Sequence, residues 1–125
     1  MKKDIIFHQA QQVHIAIIQN EDTLFDLYLI NQNQTALRNI LINTNGEKPG
    51  YKSSTLRYFL ERLEEFSYIK FESVMQDVME LNNSIMLSYY IGMDIFEKEF
   101  LFTYEQLINM TPQEIPLIKQ NGYLL

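Results

Sequence analysis

Two histidines, His8 and His14, are the side chains of this sequence that could bind a metal ion or transfer a proton near neutral pH. They are six residues apart, and Asp4 is the acidic residue that lies near them in the sequence. A zinc site needs three or four ligands, and this stretch does not supply a complete set. We therefore expect both imidazoles to have structural or solvent-facing roles, with no metal ion and no cofactor.

Nucleophilic catalysis would need a serine or threonine beside a base and an oxyanion hole. Ser53 and Ser54 do not lie in a glycine-flanked turn of the kind that presents such a nucleophile. Gly46 and Gly50 accompany Pro49 in a predicted turn, so they do not form a phosphate-binding loop. The chain has no cysteine, which excludes disulfides, thiolate metal sites and cysteine nucleophiles. We therefore expect a protein that is not an enzyme.

The remaining charged candidates lie in the middle third of the chain. Glu61, Glu64 and Glu65 could supply paired carboxylates, but adjacent acids in an exposed turn are usually solvated surface. Cations interleaved with aromatic residues can bind single-stranded nucleic acid, and this segment contains Lys48, Lys52, Arg57, Arg62, Tyr51 and Tyr58. The neighbouring acids cancel most of that charge, and the whole chain has a formal net charge of -6. We therefore do not expect nucleic acid as the main partner.

The elements that position these residues are predicted to be strands, and the clearest pair is a hairpin between Ser84 and Phe102. If Gly92 and Met93 form a two-residue turn, Ile85 opposes Phe100, and directly opposed residues share a face. The predicted core face then consists of Ile85, Leu87, Tyr89, Phe96, Phe100 and Phe102. The opposite face carries the candidate interaction residues, which are Met86, Tyr90, Glu97, Glu99 and Leu101. This face is either exposed and binds a partner, or it is covered by a second layer.

Three further strands are predicted before residue 45, at Val13 to Ile18, Leu24 to Ile30 and Leu37 to Ile42. Their spacing of about 12 residues is typical of a sandwich or barrel. In the third strand, simple alternation places Leu37, Asn39 and Leu41 together on one face.

The stretch from Ser53 to Leu63 fits two structures. Its apolar residues Leu56, Phe59, Leu60 and Leu63 have helical spacing, whereas Leu56, Tyr58 and Leu60 alternate as in a strand. The pattern alone slightly favours a helix. Tyr68 to Ser73 predicts another strand, and short helical turns are predicted after Ser73 and from Tyr104 to Met110.

The length of 125 residues predicts one domain, residues 1–125, with a core of moderate size. Hydrophobic residues make up 46% of the chain, which is typical of a globular protein. The N-terminal stretch lacks the continuous apolar run of a signal peptide, and no run reaches the roughly 20 residues of a membrane span. We therefore expect a cytoplasmic protein with no membrane association.

Three stretches carry a resemblance to known proteins: Leu24 to Asn31 (LFDLYLIN), Ser67 to Glu80, and Tyr89 to Gln106, which is followed by Ile115-Pro116-Leu117-Ile118. The pattern resembles a family of short uncharacterised bacterial proteins and, more distantly, the β domain that precedes a small MutS-related (Smr) nuclease domain. The resemblance implies an all-β, immunoglobulin-like antiparallel sandwich of seven or eight strands with one or two short helical turns. It also implies that Ser53 to Leu60 is a strand.

The sequence and the resemblance lead to two hypotheses about function. The first is a non-catalytic interaction module that binds an unidentified protein partner or forms a homodimer, through the candidate face or through an exposed strand edge. The second, which rests on the resemblance, is an accessory domain in nucleic-acid processing. Such a domain would have no nuclease activity of its own, because the chain has neither the nuclease domain nor a basic catalytic motif.

Overall fold

The computed structural model of the protein describes residues 5–20, 23–53 and 55–125, so Asp4 and Ser54 lie outside the described residues. Within these ranges the chain forms eleven strands and two short helices. In chain order they are β1 (Phe7–Gln9), β2 (Val13–Gln19), β3 (Phe25–Asn31), β4 (Leu37–Lys48), β5 (Tyr51–Lys52), β6 (Leu56–Leu63), β7 (Ser67–Val74), α1 (Gln76–Met79), β8 (Asn82–Ile91), β9 (Asp94–Phe102), α2 (Tyr104–Ile108), β10 (Gln113–Glu114) and β11 (Asn121–Leu124).

The strands form two sheets that pack face to face. The six-stranded sheet has the order β1-β9-β8-β4-β5, and β6 also pairs with β4. Because β8 occupies one side of β4, β5 and β6 lie end to end along its other side. The five-stranded sheet has the order β10-β11-β2-β3-β7. All pairs are antiparallel except β1 with β9, which is parallel. The prediction of an all-β sandwich is confirmed, with eight strands of four or more residues and three shorter ones.

The predicted hairpin is confirmed residue by residue. Strands β8 and β9 pair with Ile91 opposite Asp94 and Ile85 opposite Phe100. Gly92 in the turn has a φ of 62°, a conformation that glycine adopts without steric cost. The face predicted for the core is buried, except that Phe96 near the turn is half-buried and stacks on Tyr89 with ring centroids 5.4 Å apart.

Leu56–Leu63 is a strand, so the slight preference for a helix in this part of the chain was wrong. Strand β6 pairs with β4 from Leu56 opposite Thr44 to Leu63 opposite Leu37. Spacings of three and four residues are compatible with a helix, but the backbone hydrogen bonds offered by the edge of β4 decide the structure. The strand implied by the resemblance for Ser53 to Leu60 is confirmed from Leu56 onward, and Ser54 lies outside the described residues.

A bulge in β4 changes which residues share its faces. Asn39 has a positive φ of 49°, and the pairing with β8 shifts register between Arg38 and Leu41. One extra residue reverses the alternation beyond it. Leu37, Ile40 and Ile42 therefore point into the core, and the predicted grouping of Leu37 with Asn39 and Leu41 was wrong.

The core lies between the sheets and draws on both of them. Its largest fully buried side chains include Ile15, Leu29, Ile42, Leu87 and Tyr89. At one end, the buried side chain of Asn31 on β3 connects the sheets: its amide nitrogen donates to the carbonyl of Glu64, beyond β6, at 2.9 Å. The short helices α1 and α2 agree with the predicted helical turns, and α2 begins at a capping box formed by Thr103 and Gln106.

Candidate functional site

The five candidate interaction residues lie together on the face of β8 and β9 that points away from the core. Met86 is opposite Glu99, and Tyr90 is opposite Ile95. Glu97 and Leu101 are opposite Ser88 and Ser84 on the same face. The structure therefore brings together all the residues that the hairpin register predicted for this surface.

This surface extends across the whole six-stranded sheet. The register places Leu41 of β4 beside Ser88 and opposite Phe59 of β6, and it places Phe7 of β1 beside Ile95 of β9. We call this surface the outer face, and its apolar members are Phe7, Leu41, Phe59, Met86, Tyr90, Ile95 and Leu101. Phe7, Leu41 and Phe59 were missed in the sequence, because placing them requires the pairing of strands that are distant in the chain.

The outer face is open to solvent. Leu101 is 68% exposed, Phe59 is 64%, Phe7 is 50% and Leu41 is 37%. None of the apolar outer-face residues belongs to a buried core cluster or packs against one. Within residues 5–20, 23–53 and 55–125, no second layer covers the outer face.

A groove of about 360 Å³ lies at the β1 and β9 side of the outer face. Met86, Glu97 and Glu99 line it together with Phe7 and Gln9 of β1. His8 and Lys98 complete the lining, so the groove is mixed in character, and it contains three of the five candidate residues.

Charges of opposite sign lie on opposite sides of the outer face in its middle rows, whereas Glu47 on β4 and Lys52 on β5 are neighbours of opposite sign at one end. The acids Glu97 and Glu99 lie on β9, whereas the bases Arg38 and Arg57 lie on β4 and β6. In the part of the chain that the structure describes, neither Glu99 nor Arg57 takes part in an ion pair. By contrast, Arg62 forms hydrogen bonds to Glu64, which lower the pKa of that carboxyl.

A second polar group lies between the sheets, where Glu72 of β7 points toward β4. Thr44 Oγ1 donates a hydrogen bond to Glu72 Oε2 at 3.4 Å, and burial raises the pKa of the Glu72 carboxyl. Burial, together with the charge of Glu72 and a hydrogen bond to it, raises the pKa of Tyr58 to about 12, so this phenol remains a donor. The neighbouring cavity of about 60 Å³ has room for about two water molecules but not for a substrate-sized ligand.

The two histidines lie on different sheets. His8 on β1 lies 3.8 Å from the carboxylate of Asp94, and His14 on β2 lies with Nδ1 3.3 Å from the carbonyl oxygen of Leu125. No group of three or more potential metal ligands occurs among the residues that the structure describes. This arrangement provides no site at which both imidazoles could act together.

The other charged candidates are also dispersed. Glu61, Glu64 and Glu65 are exposed near the end of β6, and Lys48 lies over the ring of Tyr51 at 5.9 Å on the β4–β5 hairpin. Tyr58 points inward to Glu72 and is not available to stack on a base. The mixed cluster of cations and aromatics predicted in the sequence is therefore not assembled as a binding platform.

Comparison with known proteins does not identify a family. No protein-family model matches the chain, and no curated protein matches it significantly. Neither helix of the described residues is long or apolar enough to cross a bilayer. The resemblance to short bacterial proteins and to the Smr-linked β domain stays a prediction, so the outer face is the basis on which function has to be inferred.

Proposed function

We propose that the protein is a non-catalytic interaction domain that binds another protein through its outer face. The observation that supports this proposal is the exposure of large apolar side chains, Leu41, Phe59 and Leu101 among them, on one continuous sheet surface. Contiguous exposed apolar surface on a folded domain commonly marks an interaction site. A cytoplasmic location, inferred from the sequence, belongs to the same proposal.

The composition of the outer face suits protein binding. Aromatic residues and methionine are enriched at the centres of protein interfaces, and this face provides Phe59, Tyr90 and Met86. Burying one such side chain contributes about 1.5–3 kcal/mol before the entropic cost of association is subtracted. A few of these contacts are enough for a reversible complex.

Nucleic acid fits this face less well. Glu97 and Glu99 outnumber Lys98 at the groove, and the chain has a formal net charge of -6, which disfavours binding of phosphate groups. Arg38 and Arg57 are cations on this face, but Glu97 and Glu99 share it, and the inward orientation of Tyr58 removes one of the aromatic residues predicted to stack on a base. The accessory role in nucleic-acid processing therefore has less support than protein binding.

Affinity capture with matched variants tests the proposal. Phe59→Asp places a charge on the outer face, whereas Phe66→Asp changes a similarly exposed phenylalanine in the turn between β6 and β7. We expect mass spectrometry to identify proteins that the wild type and Phe66→Asp capture and that Phe59→Asp loses. Thermal unfolding monitored by circular dichroism checks that both variants remain folded.

A binding measurement with the purified captured protein makes the test quantitative. We expect Phe59→Asp to weaken binding at least tenfold, which corresponds to about 1.4 kcal/mol. Equal capture by the wild type and both folded variants would show that the outer face is not the binding surface.

A further inference from the structure

We propose that a second copy of this chain binds the outer face, forming a symmetric dimer in which Glu99 of each protomer pairs with Arg57 of the other. This inference rests on the proposed function and names the partner. It follows from the order of side chains across the sheet, which makes the outer face complementary to itself in charge at Glu99 and Arg57.

One row of residues across the sheet shows the complementarity. Glu99 on β9 is opposite Met86 on β8, Met86 is opposite Asn43 on β4, and Asn43 is opposite Arg57 on β6. Neighbouring strands are about 4.8 Å apart, so Glu99 and Arg57 lie about 14 Å from each other. They are too distant to pair within one chain, and they lie at equal distances from the midline between β8 and β4.

A twofold axis along that midline, parallel to the strands, matches these charges. Rotation about this axis places β9 of one protomer over β6 of its partner. Each residue keeps its height along the strand direction. Glu99 then faces Arg57 of the other protomer, and the same contact occurs twice, as an isologous interface requires. A twofold axis perpendicular to the strands would instead place β9 on β9, with Glu97 and Glu99 facing like charges.

The usual angle between packed sheets does not break this contact. The strands of aligned packed sheets cross at about 30°. Glu99 and Arg57 each lie about 7 Å from the twofold axis, so this crossing shifts one relative to the other by about 4 Å along the strands. An arginine side chain can span that displacement. The charge pairing therefore tolerates ordinary sheet-on-sheet geometry.

The adjacent row shows what the groove meets in this arrangement. In the adjacent row, Glu97 is opposite Ser88, Ser88 is opposite Leu41, and Leu41 is opposite Phe59. The same rotation places the exposed Phe59 of one protomer over Glu97 of the other, at the groove that Phe7 and Met86 also line. The groove on one side of the face thus meets the projecting aromatic ring from the opposite side.

The contact area indicates a weak dimer. Four strands at about 4.8 Å spacing and six residue steps at about 3.3 Å give a flat footprint of roughly 19 Å by 20 Å per protomer. Two such footprints total about 760 Å², which is below the roughly 1,200 Å² at which stable specific interfaces begin, so we expect a weak, transient dimer. The negative net charge of both protomers opposes association at low salt, and physiological ionic strength is the appropriate condition.

Analytical ultracentrifugation of charge-reversed variants tests the dimer, over concentrations from about 1 μM to about 500 μM. We expect wild type to show a monomer–dimer equilibrium. Glu99→Arg and Arg57→Glu each place like charges at both contacts, and each alone should dimerise at least tenfold more weakly. An equimolar mixture of the two variants pairs opposite charges at both contacts and should restore dimerisation.

Control variants carry the same charge changes away from the outer face. Glu114→Arg on β10 and Lys119→Glu before β11 alter exposed side chains on or beside the five-stranded sheet. Both should dimerise like wild type. Circular dichroism of every variant establishes that the fold is retained.

Three results would overturn the inference: a wild type that is monomeric throughout, single variants that dimerise like wild type, or a mixture that does not regain dimerisation. If Glu99→Arg pairs with wild type in preference to Arg57→Glu, the twofold axis is perpendicular to the strands and β9 lies on β9. That result would also overturn the inference. The capture experiment with Phe59→Asp separates this failure from that of the proposed function. A monomeric wild type whose captured proteins still depend on Phe59 would refute self-association alone.

Discussion

Glu72 on β7 accepts a hydrogen bond from the hydroxyl of Thr44 on β4 across 3.4 Å, and the contact joins the two sheets. The carboxyl group is partly buried without a cationic partner, so its charged form is poorly solvated. Strand β7 is an edge strand, and an inward-pointing charge on such a strand limits pairing with other chains. This placement gives Glu72 a structural explanation that does not require catalysis.

Glu72→Gln should alter how stability depends on pH. Burial raises the folded-state pKa of Glu72 above its ordinary value of 4.5, so the folded protein holds this proton more tightly than the unfolded chain. Its contribution to the free energy of unfolding therefore falls as pH rises from about 4.5 through the raised pKa, and is constant above it. The variant lacks this titration, so its stability relative to wild type should increase across that window.

Urea denaturation of both proteins between about pH 4 and pH 8 measures this difference. Glu105→Gln, at an exposed position in α2, controls for the loss of one negative charge. A stability difference between Glu72→Gln and wild type that does not change with pH would contradict the interpretation.

Phe100→Ala should strongly destabilise the fold. Phe100 is buried opposite Ile85, and removing its ring leaves a cavity in the core. Large-to-small substitutions of this kind cost about 3–5 kcal/mol. Leu101→Ala, one residue along the same strand but on the outer face, should cost less than about 1 kcal/mol. Chemical denaturation measures both values, and equal losses would contradict the assignment of faces.

Asn31→Ala should cost about 2–4 kcal/mol, because several hydrogen bonds at a buried site are lost together. The side-chain amide of Asn31 donates to the carbonyls of Thr35 and Glu64, and its oxygen accepts from the backbone N–H of Asn33. Gln34→Ala changes an exposed neighbour and should alter stability by less than about 0.5 kcal/mol. Unfolding free energies that are the same for both variants would exclude the role of Asn31 in joining the sheets.

The hairpin could be predicted from the sequence because its register depends on local information. A turn at Gly92 and Met93 fixes every opposed pair, and the apolar alternation on both strands agrees with that turn. The same reasoning identified Met86, Tyr90 and Leu101 as outward-facing. Half of the outer face was therefore predictable from nineteen consecutive residues.

The other half could not be predicted because it depends on long-range pairing. Leu41 joins the face because the bulge at Asn39 shifts the alternation of β4, and alternation alone does not reveal a bulge. Phe59 joins it because the edge of β4 makes β6 extended, although its spacing is compatible with a helix. The role of Asn31 was equally hidden, because its partner Glu64 is distant in the sequence.

The parallel pairing of β1 with β9 has a kinetic consequence. Strand β1 is distant in the chain from β9, and pairing of such distant segments is slow compared with closure of the hairpin between β8 and β9. We therefore expect the N-terminal strand to dock after the folding transition state. Ala10→Gly, at the buried residue that follows β1, should then accelerate unfolding in stopped-flow measurements and leave the folding rate unchanged.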